Sequence, residues 1–265
     1  MSTDPLWQEI RADVESEARR EPLLAGFLRA AILDHDGLGQ ALAFQLAEKL
    51  ASPRLGAAPL RELITDALAD DPEIAAAIRA DLLAIRKRDP ACTGHCEPLL
   101  YFKGFHAVEA YRISHWLWRN DRKALALHLQ NRISEVFAMD IHPGARLGSG
   151  IFIDHGTGVV IGETAVIADD VSMLHGVTLG GTGKESGDRH PKIGPGVMIS
   201  AGAAIFGNIT IGEGAKIGGG SVVLEDVPPH RTAVGVPARI VGRPASDQPA
   251  LEMDQTLPGT GGEGI

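Results

Sequence analysis

A repeat of six residues is the feature that most constrains the fold of this chain. From residue 193 onward an aliphatic side chain occurs at every sixth position: Ile193, Ile199, Ile205, Ile211, Ile217 and Val223. A period of six matches neither the α-helix nor a simple alternating strand. It is typical of a short strand and a corner in repetition, with each aliphatic side chain stacked on its equivalent in the next coil. The repeat therefore predicts a parallel β-helix.

The same repeat begins earlier in the chain and is rich in glycine. The aliphatic positions of two shorter runs are Ile141, Leu147 and Ile153, followed by Ile161, Ile167, Met173 and Leu179. Residues 141–242 contain 22 of the 32 glycines, whereas residues 1–140 contain six. Glycine suits the tight corners of a β-helix because it adopts positive φ without steric cost. The β-helix is therefore predicted to begin near residue 139.

The first part of the chain has the period of an α-helix instead. Apolar residues recur at spacings of three and four over residues 23–32, and again near 40–50, 58–69, 72–86, 104–119 and 121–137. Such spacing places apolar groups on one face of a helix. We therefore expect an α+β chain: an all-helical N-terminal domain over residues 1–138, the β-helix over residues 139–242, and a flexible tail, rich in proline, glycine and acidic residues, over residues 243–265.

The composition excludes several classes of partner and location. The formal net charge of −9 provides no basic field to attract nucleic acid. No apolar run approaches the length of a membrane span, and the N-terminus shows no secretion signal. Cys92 and Cys96 are too few for a disulfide framework, which indicates a reducing compartment. We therefore expect a soluble, cytoplasmic protein that binds neither nucleic acid nor membrane.

Both breaks in the six-residue period are candidate functional sites. The spacing rises to eight after Ile153, in a stretch that opens with Asp154 and His155. It rises to fourteen after Leu179. A solenoid accommodates extra residues as loops, and loops on a rigid scaffold often carry function.

The longer loop, residues 180–192, combines glycines with basic side chains in an acidic protein. Its basic and imidazole groups are those of Lys184, Arg189, His190 and Lys192. It resembles a mononucleotide P-loop only superficially, because a threonine replaces the first glycine and a glutamate replaces the magnesium-binding serine or threonine. We expect this loop to be functional rather than a neutral insertion.

Two groups of residues raise the question of a metal site. The segment Cys92-Thr93-Gly94-His95-Cys96 lacks the second half of a usual zinc site, so we interpret it as a variable loop. A β-helix metalloenzyme with His155, His175 and His190 as zinc ligands stays open as an alternative. The favoured interpretation requires no metal.

Motifs within the repeat are more specific than the repeat itself. The repeat resembles that of hexapeptide-repeat acyltransferases, which fold as left-handed β-helices and usually form trimers with acyl-coenzyme A sites between neighbouring prisms. The specific motifs are Asp140-Ile141-His142-Pro143, Asp154-His155, Gly162-Glu163-Thr164, and residues 177–184, 187–193 and 235–242. From about residue 80 to residue 254 the chain resembles the serine O-acetyltransferase family. The resemblance implies a left-handed β-helix.

The resemblance also implies a reaction. The family transfers an acetyl group from acetyl-CoA to the hydroxyl of L-serine, giving O-acetyl-L-serine and CoA for cysteine biosynthesis. A serine hydroxyl is a poor nucleophile at neutral pH, so a base must take its proton during attack. By resemblance His155 is that base, and Asp140 orients its imidazole. An acetyltransferase for another hydroxyl acceptor, such as a sugar, is the alternative.

Binding roles follow from the same resemblance. Asp89 and Asp154 would bind the amino group of serine. Arg189 would bind its carboxylate through paired hydrogen bonds, and His190 would line the same pocket. The residues expected to contact acetyl-CoA are Gly183, Lys184, Lys192, Ala203 and Gly219.

The resemblance implies protein partners and regulation as well. In the family a C-terminal isoleucine, here Ile265, inserts into the active site of O-acetylserine sulfhydrylase, where a carboxylate beside an apolar side chain mimics an amino acid. L-Cysteine often inhibits the family by competing at the serine site. We expect a homotrimer or a dimer of trimers. A purely structural partner of the sulfhydrylase, without catalysis, is a further alternative.

Overall fold

Helices precede strands along the chain in a computed structural model that describes residues 4–183 and 186–257. The helices before the first strand are α1 (Pro5–Arg20), α2 (Ala25–Leu28), α3 (Leu38–Leu50), α4 (Ala57–Asp70), α5 (Pro72–Arg88), α6 (Cys96–Tyr101), α7 (Lys103–Arg119) and α8 (Lys123–Phe137). A π-helical turn, Arg29–Leu33, continues α2. The apolar spacing predicted α3, α4, α5, α7 and α8, and these are confirmed; α1 and α6 were not predicted.

Local capping signals set where these helices begin and end. The side chain of Asp4 accepts a hydrogen bond from the Leu6 N–H at the start of α1, and proline occupies the first turn. Asp71 does the same for the Glu73 N–H at the start of α5. An N-cap carboxylate followed by proline is a favoured helix start, because the cap satisfies a free N–H and proline needs none. At the other end, α8 stops at Ala138, whose φ of 56° is left-handed.

The second half of the chain consists of short strands. They are β1 (Asp140–Ile141), β2 (Arg146–Leu147), β3 (Phe152–Ile153), β4 (Val160–Ile161), β5 (Val166–Ile167), β6 (Ser172–Met173), β7 (Thr178–Gly180), β8 (Lys192–Ile193), β9 (Met198–Ile199), β10 (Ala204–Phe206), β11 (Thr210–Ile211), β12 (Lys216–Ile217), β13 (Val222–Val223), β14 (Thr232–Gly235) and β15 (Ala238–Gly242). Three sheets result, ordered β1-β4-β7-β10-β13, β2-β5-β8-β11 and β3-β6-β9-β12-β14-β15. All pairs are parallel except β14 with β15, and the architecture is a left-handed parallel β-helix.

The strand register explains both interruptions of the repeat. Val160 pairs with Thr178 and Ala204 pairs with Val222, so an uninterrupted coil contains 18 residues, or three hexads. The first coil, from Asp140 to its partner Val160, contains 20. The coil from Thr178 to Ala204 contains 26. The interruptions are therefore insertions of two and eight residues into a solenoid whose strands stay in register.

Glycines at one column of corners show why the repeat needs them. Gly158, Gly176, Gly202 and Gly220 have φ values of 77°, 69°, 68° and 64°. They also stack closely, because a Cβ on Gly176 would lie 3.4 Å from the Cα of Gly202. The positive φ favours glycine at this column, because L side chains rarely adopt it.

Polar contacts attach the helical segment to the first coil. Arg88 at the end of α5 donates to the Gly150 carbonyl (2.8 Å) and pairs with Asp170 (2.6 Å). Asp81 of the same helix accepts from the Ile151 N–H at 2.7 Å. Arg112 of α7 pairs with Asp81 and donates to a carbonyl of the same turn. These contacts satisfy backbone groups of the first coil that have no preceding coil to pair with.

The C-terminal segment differs from its prediction as a flexible tail. Residues Pro249–Glu252 form a short helix, α9, and residues 250–256 contact the β-helix. Ser172 Oγ donates to the Ala250 carbonyl (2.8 Å), and Lys216 Nζ donates to the Thr256 carbonyl (2.5 Å). The physical reason is that the Lys216 side chain is only 2% exposed and needs a polar partner. Within residues 4–183 and 186–257, no helix is both long and apolar enough to cross a membrane.

We predict that Gly104→Ala destabilises the protein, because a Cβ at this position in α7 would lie 2.1 Å from the Ile153 carbonyl oxygen. Overpacking of this kind costs about 1–3 kcal/mol. The matched control is Gly26→Ala in α2, where a Cβ would meet nothing within 4 Å. That change should stabilise its helix by up to ~1 kcal/mol. Thermal unfolding midpoints measure both, and equal midpoints for the two variants would contradict the tight contact between α7 and the first coil.

Candidate active site

One edge of the β-helix carries the exposed histidine that the first interruption predicted. We call it the His155 edge and define it as the stacked turns 154–158, 174–177, 200–203 and 218–221. Successive turns are joined by hydrogen bonds from Gly176 N–H to the Thr157 carbonyl (2.8 Å) and from Gly202 N–H to the His175 carbonyl (2.9 Å). A third bond joins the last two turns. The edge is therefore one continuous ladder of turns from His155 downward.

His155 is an exposed imidazole of this edge. Its backbone is left-handed, with φ of 57°, and its side chain is 75% exposed. Its Nε2 lies 3.8 Å from Oδ2 of Asp154, and its ring stands edge-on to that of His175 with centroids 6.1 Å apart. The two inserted residues of the first coil fall in this turn, between β3 and β4. An exposed imidazole beside a carboxylate can accept a proton from a small substrate.

Asp140 and Asp89, two of the aspartates assigned to the site, each bind a group other than His155. Asp140 begins β1, next to the turn that holds His155, and its Oδ1 accepts a hydrogen bond from Gln130 Nε2 at 2.6 Å. Across the described ranges, no hydrogen bond or ion pair joins Asp140 to His155; the carboxylate nearest His155 is that of Asp154. Asp89 ends α5, where its Oδ1 accepts from the Ala91 N–H at 2.8 Å.

A second edge carries the longer loop. We call it the Arg189 edge and define it as the turns 142–145 and 162–165 together with residues 181–183 and 186–191. The five-stranded sheet lies between this edge and the His155 edge. His190 is buried here against Gly162, where a Cβ would lie 2.0 Å from the His190 Nε2. The position of the His190 ring therefore requires a glycine at position 162.

Thr164 holds both functional candidates of the loop in place. Its Oγ1 accepts hydrogen bonds from the main-chain N–H groups of Arg189 (3.0 Å) and His190 (3.2 Å), and lies 2.8 Å from His190 Nδ1. The Thr164 N–H donates to the same Nδ1 at 3.2 Å. Burial, and then the charge of Arg189, lower the pKa of His190. Because Nδ1 accepts hydrogen bonds, His190 is neutral with its proton on Nε2.

Two basic side chains of the loop, those of Arg189 and Lys192, have partners on the Arg189 edge. Arg189 pairs with Glu163 through Nη2 and Oε2, 3.0 Å apart. Lys192 Nζ donates to the carbonyls of Thr164 (3.0 Å) and His190 (2.7 Å) and to the Asp188 carboxylate (2.5 Å). All three N–H groups of the Lys192 ammonium are used, so its expected contact with a coenzyme phosphate would require these bonds to break.

The other residues expected to contact acetyl-CoA are placed differently. Ala203 and Gly219 both lie on the His155 edge, in line with His155. Ala203 is buried and its N–H donates to the Ser200 carbonyl, whereas Gly219 is exposed. Gly183 is exposed on the loop with φ of 84°. Lys184 and Ile265 lie outside the described residues.

The three histidines of the zinc alternative, His155, His175 and His190, do not form a ligand cluster among the described residues of one chain. His190 lies on a different edge from His155 and His175, and no group of three or more histidine, cysteine, aspartate or glutamate side chains in the described ranges could hold a metal ion. Cys92 and Cys96 are buried and free. Burial raises the pKa of Cys92 to about 12 and that of Cys96 to about 11, so both remain thiols at neutral pH.

Sequence reasoning did not single out Lys103, Gly162 or Thr164 for the site. Lys103 at the start of α7 donates to the Thr157 hydroxyl, two residues beyond His155. Gly162 leaves room for the His190 ring, and Thr164 lies within hydrogen-bonding distance of its Nδ1. The motif Gly162-Glu163-Thr164 was the available signal, but a repeat pattern does not show which turn lies under which loop.

Comparison with known proteins identifies the family. A family model for the N-terminal part of serine acetyltransferases matches residues 6–110, and one for six repeats of the bacterial transferase hexapeptide matches residues 190–225. Over 254 residues the chain is 59% identical to a serine acetyltransferase of Salmonella typhimurium, with 96% of this chain and 93% of the relative covered. The chain belongs to the serine acetyltransferase family. It is therefore an acyltransferase.

Solved serine acetyltransferase structures share the whole fold. That of Vibrio cholerae is 57% identical with a TM-score of 0.95, over 96% of this chain and 98% of that chain. A Brucella abortus serine acetyltransferase in complex with coenzyme A has a TM-score of 0.90 at 52% identity, covering 91% and 96%. The serine acetyltransferase of Neisseria gonorrhoeae in complex with serine has a TM-score of 0.87 at 56% identity, over 90% of this chain and 98% of that chain. A further serine acetyltransferase, in complex with cysteine, has a TM-score of 0.93 at 55% identity, over 95% of this chain and 98% of that chain.

We predict that His190 of this serine acetyltransferase titrates below the usual histidine value of about 6.5. The folded protein then binds this proton less readily than the unfolded chain, so His190 lowers stability as pH falls below that value. Thr164→Val removes the hydroxyl beside Nδ1 and should move the titration upward. An NMR pH titration of the ring protons measures both midpoints. A wild-type midpoint at or above the usual value would contradict the buried, neutral assignment.

Proposed function

We propose that this serine acetyltransferase transfers the acetyl group of acetyl-CoA to the hydroxyl of L-serine, giving O-acetyl-L-serine and CoA. The observation that carries the proposal is the exposed His155 beside the Asp154 carboxylate, at the top of an edge that also contains Ala203 and Gly219. The relatives crystallised with coenzyme A and with serine support both substrates.

The chemistry starts with the proton of the serine hydroxyl. His155 takes that proton while the oxygen attacks the thioester carbonyl, and a tetrahedral intermediate forms. The C–S bond then breaks, and the CoA sulfur leaves with the proton that His155 returns. General-base catalysis of this kind typically accelerates a step about 10²–10⁴-fold.

The carboxylates around His155 have separate proposed roles. Asp140 orients the imidazole and stabilises its charged form, for which it must exchange its hydrogen bond from Gln130. Asp154, which is already 3.8 Å from His155, and Asp89 bind the serine ammonium. Arg189 binds the serine carboxylate, and His190 offers its Nε2 proton to the same pocket.

The proposed coenzyme path follows the His155 edge. The column of glycines at positive φ contributes no side chains of its own to this edge, which suits a long, thin pantetheine arm. Ala203 and Gly219 line the path. The phosphate contacts proposed for Gly183, Lys184 and Lys192 belong to the loop after β7, which a neighbouring copy would bring to this path.

We propose a trimer, or a dimer of trimers, because one chain separates the two halves of the site. His155 and Asp154 lie on one edge, and Arg189 and His190 lie on another, with the five-stranded sheet between them. A neighbouring copy could bring its Arg189 edge to the His155 edge of the first. The substrate would then bind between two prisms.

The central experiment is a thiol-release assay with acetyl-CoA, in the presence and absence of L-serine. We expect release only with serine, and His155→Gln should reduce it by about 10²–10⁴-fold by removing the base. His175→Gln is the matched control, because that imidazole is exposed one turn further along the same edge. It should retain most of the activity.

Three results would contradict the proposal. Undiminished turnover by His155→Gln would remove the assigned base. Release that depends on a sugar rather than on serine would favour the alternative acceptor. Stoichiometric zinc that is lost in a His175 variant would favour the metalloenzyme.

The proposed partners are L-cysteine, as a competitor at the serine site, and O-acetylserine sulfhydrylase, through Ile265. The relative in complex with cysteine supports the first. A cytoplasmic location belongs to the same proposal, since both cysteines are free thiols.

Deletion of Ile265 should weaken binding of the sulfhydrylase and spare acetyl transfer, because none of the proposed catalytic or substrate-binding roles belongs to this residue. Calorimetric titration of full-length and shortened chains with the sulfhydrylase measures the first effect, and the thiol-release assay measures the second. Equal affinity of both chains would remove Ile265 from the interface.

A further inference from the structure

Glu163 occupies a place on the Arg189 edge that the proposed reaction does not yet use. It borders a cavity of about 290 Å³, together with Trp118, Gly144, Arg146, Thr164 and Asp188. Its Oε2 lies 3.0 Å from Nη2 of Arg189. The Glu163 side chain is 41% exposed and that of Arg189 is 27% exposed, so both are open to a small molecule.

The contacts of Arg189 fix its plane without using up its donors. The main-chain N–H of Arg189 is bound by Thr164, and Nη1 donates to the Gly187 carbonyl at 3.2 Å. Glu163 binds Nη2, and it is the only side chain among the described residues that holds the guanidinium. A guanidinium has five N–H groups, and these contacts take two of them. Three donors remain for a second carboxylate.

We propose that Glu163 is a positioning residue for the substrate carboxylate. It holds the Arg189 guanidinium in the orientation that receives the carboxylate of the amino-acid acceptor, and this inference rests on the proposed function. The contribution of Glu163 is the hydrogen-bond acceptor on Nη2, because its negative charge by itself opposes a second anion nearby.

That distinction between acceptor and charge makes the role testable with two variants. Glu163→Gln keeps a carbonyl oxygen for Nη2 and removes the charge. Glu163→Ala removes both, so the guanidinium is free to rotate. Glu225→Ala is the control, because Glu225 is exposed in the turn after β13, on the same side of the prism but in the last coil.

The experiment measures steady-state kcat and KM for L-serine and for acetyl-CoA in the full chain. For Glu163→Ala we expect a rise of about tenfold in the KM for serine, equivalent to about 1.4 kcal/mol. Its kcat at saturating serine and its KM for acetyl-CoA should stay near the wild-type values, which also shows that the variant folds. Glu163→Gln should restore a KM within about threefold of wild type, since a neutral acceptor still holds Nη2. Glu225→Ala should leave all constants unchanged.

Each other outcome overturns the inference. An unchanged KM in Glu163→Ala would show that Arg189 needs no such support. A lowered KM in both variants would show that Glu163 competes with the substrate carboxylate. A loss confined to kcat, or equal losses in both variants, would show a different role. If the wild type releases no thiol with serine, the proposed function itself fails; normal wild-type turnover with an unaffected Glu163→Ala removes only this inference.

Discussion

Stacking of open coils is the constraint on which the rest of this molecule depends. Each coil buries its aliphatic residues against the next and pairs its backbone with the next, so the first and last coils have exposed ends. At the N-terminal end, α5 and α7 supply the missing partners through Asp81, Arg88 and Arg112. At the other end, β15 turns back antiparallel to β14 and extends the last sheet. The helical segment is thus a cap as well as a domain.

The same constraint explains where chemistry can be placed. The interior is filled by aliphatic side chains and the strands are short, so extra residues are tolerated only at corners. Insertions of two and eight residues form the His155 turn and the Arg189 loop, and neither disturbs the register of the strands around them. The rigid coils beneath each insertion then hold it, as Gly162 and Thr164 hold His190. Function is built on the departures from the repeat.

Much of this could be predicted from the sequence, and the remainder depended on contacts between turns. The six-residue period predicted the β-helix, and its breaks predicted the turn of His155. Helix α6 was missed because six residues are too few to show a helical period. The sequence could not show that Asp154 lies nearer than Asp140 to His155, since a spacing of fifteen residues is shorter than one coil. Nor could it show that Lys192 is fully engaged, or that residues after 249 pack on the β-helix, because both depend on neighbours distant in sequence.

The buried ammonium of Lys216 gives the last described residues a significance beyond their length. The Thr256 carbonyl accepts its hydrogen bond and the Asp254 carboxylate lies 3.9 Å away, so the tail provides both polar partners of a side chain that is 2% exposed. A protease that clipped the chain before residue 254 would remove both of these partners and leave the ammonium to water alone. Trimmed and intact molecules would then differ in thermal stability as well as in mass, because the tail covers a charged residue of the β-helix.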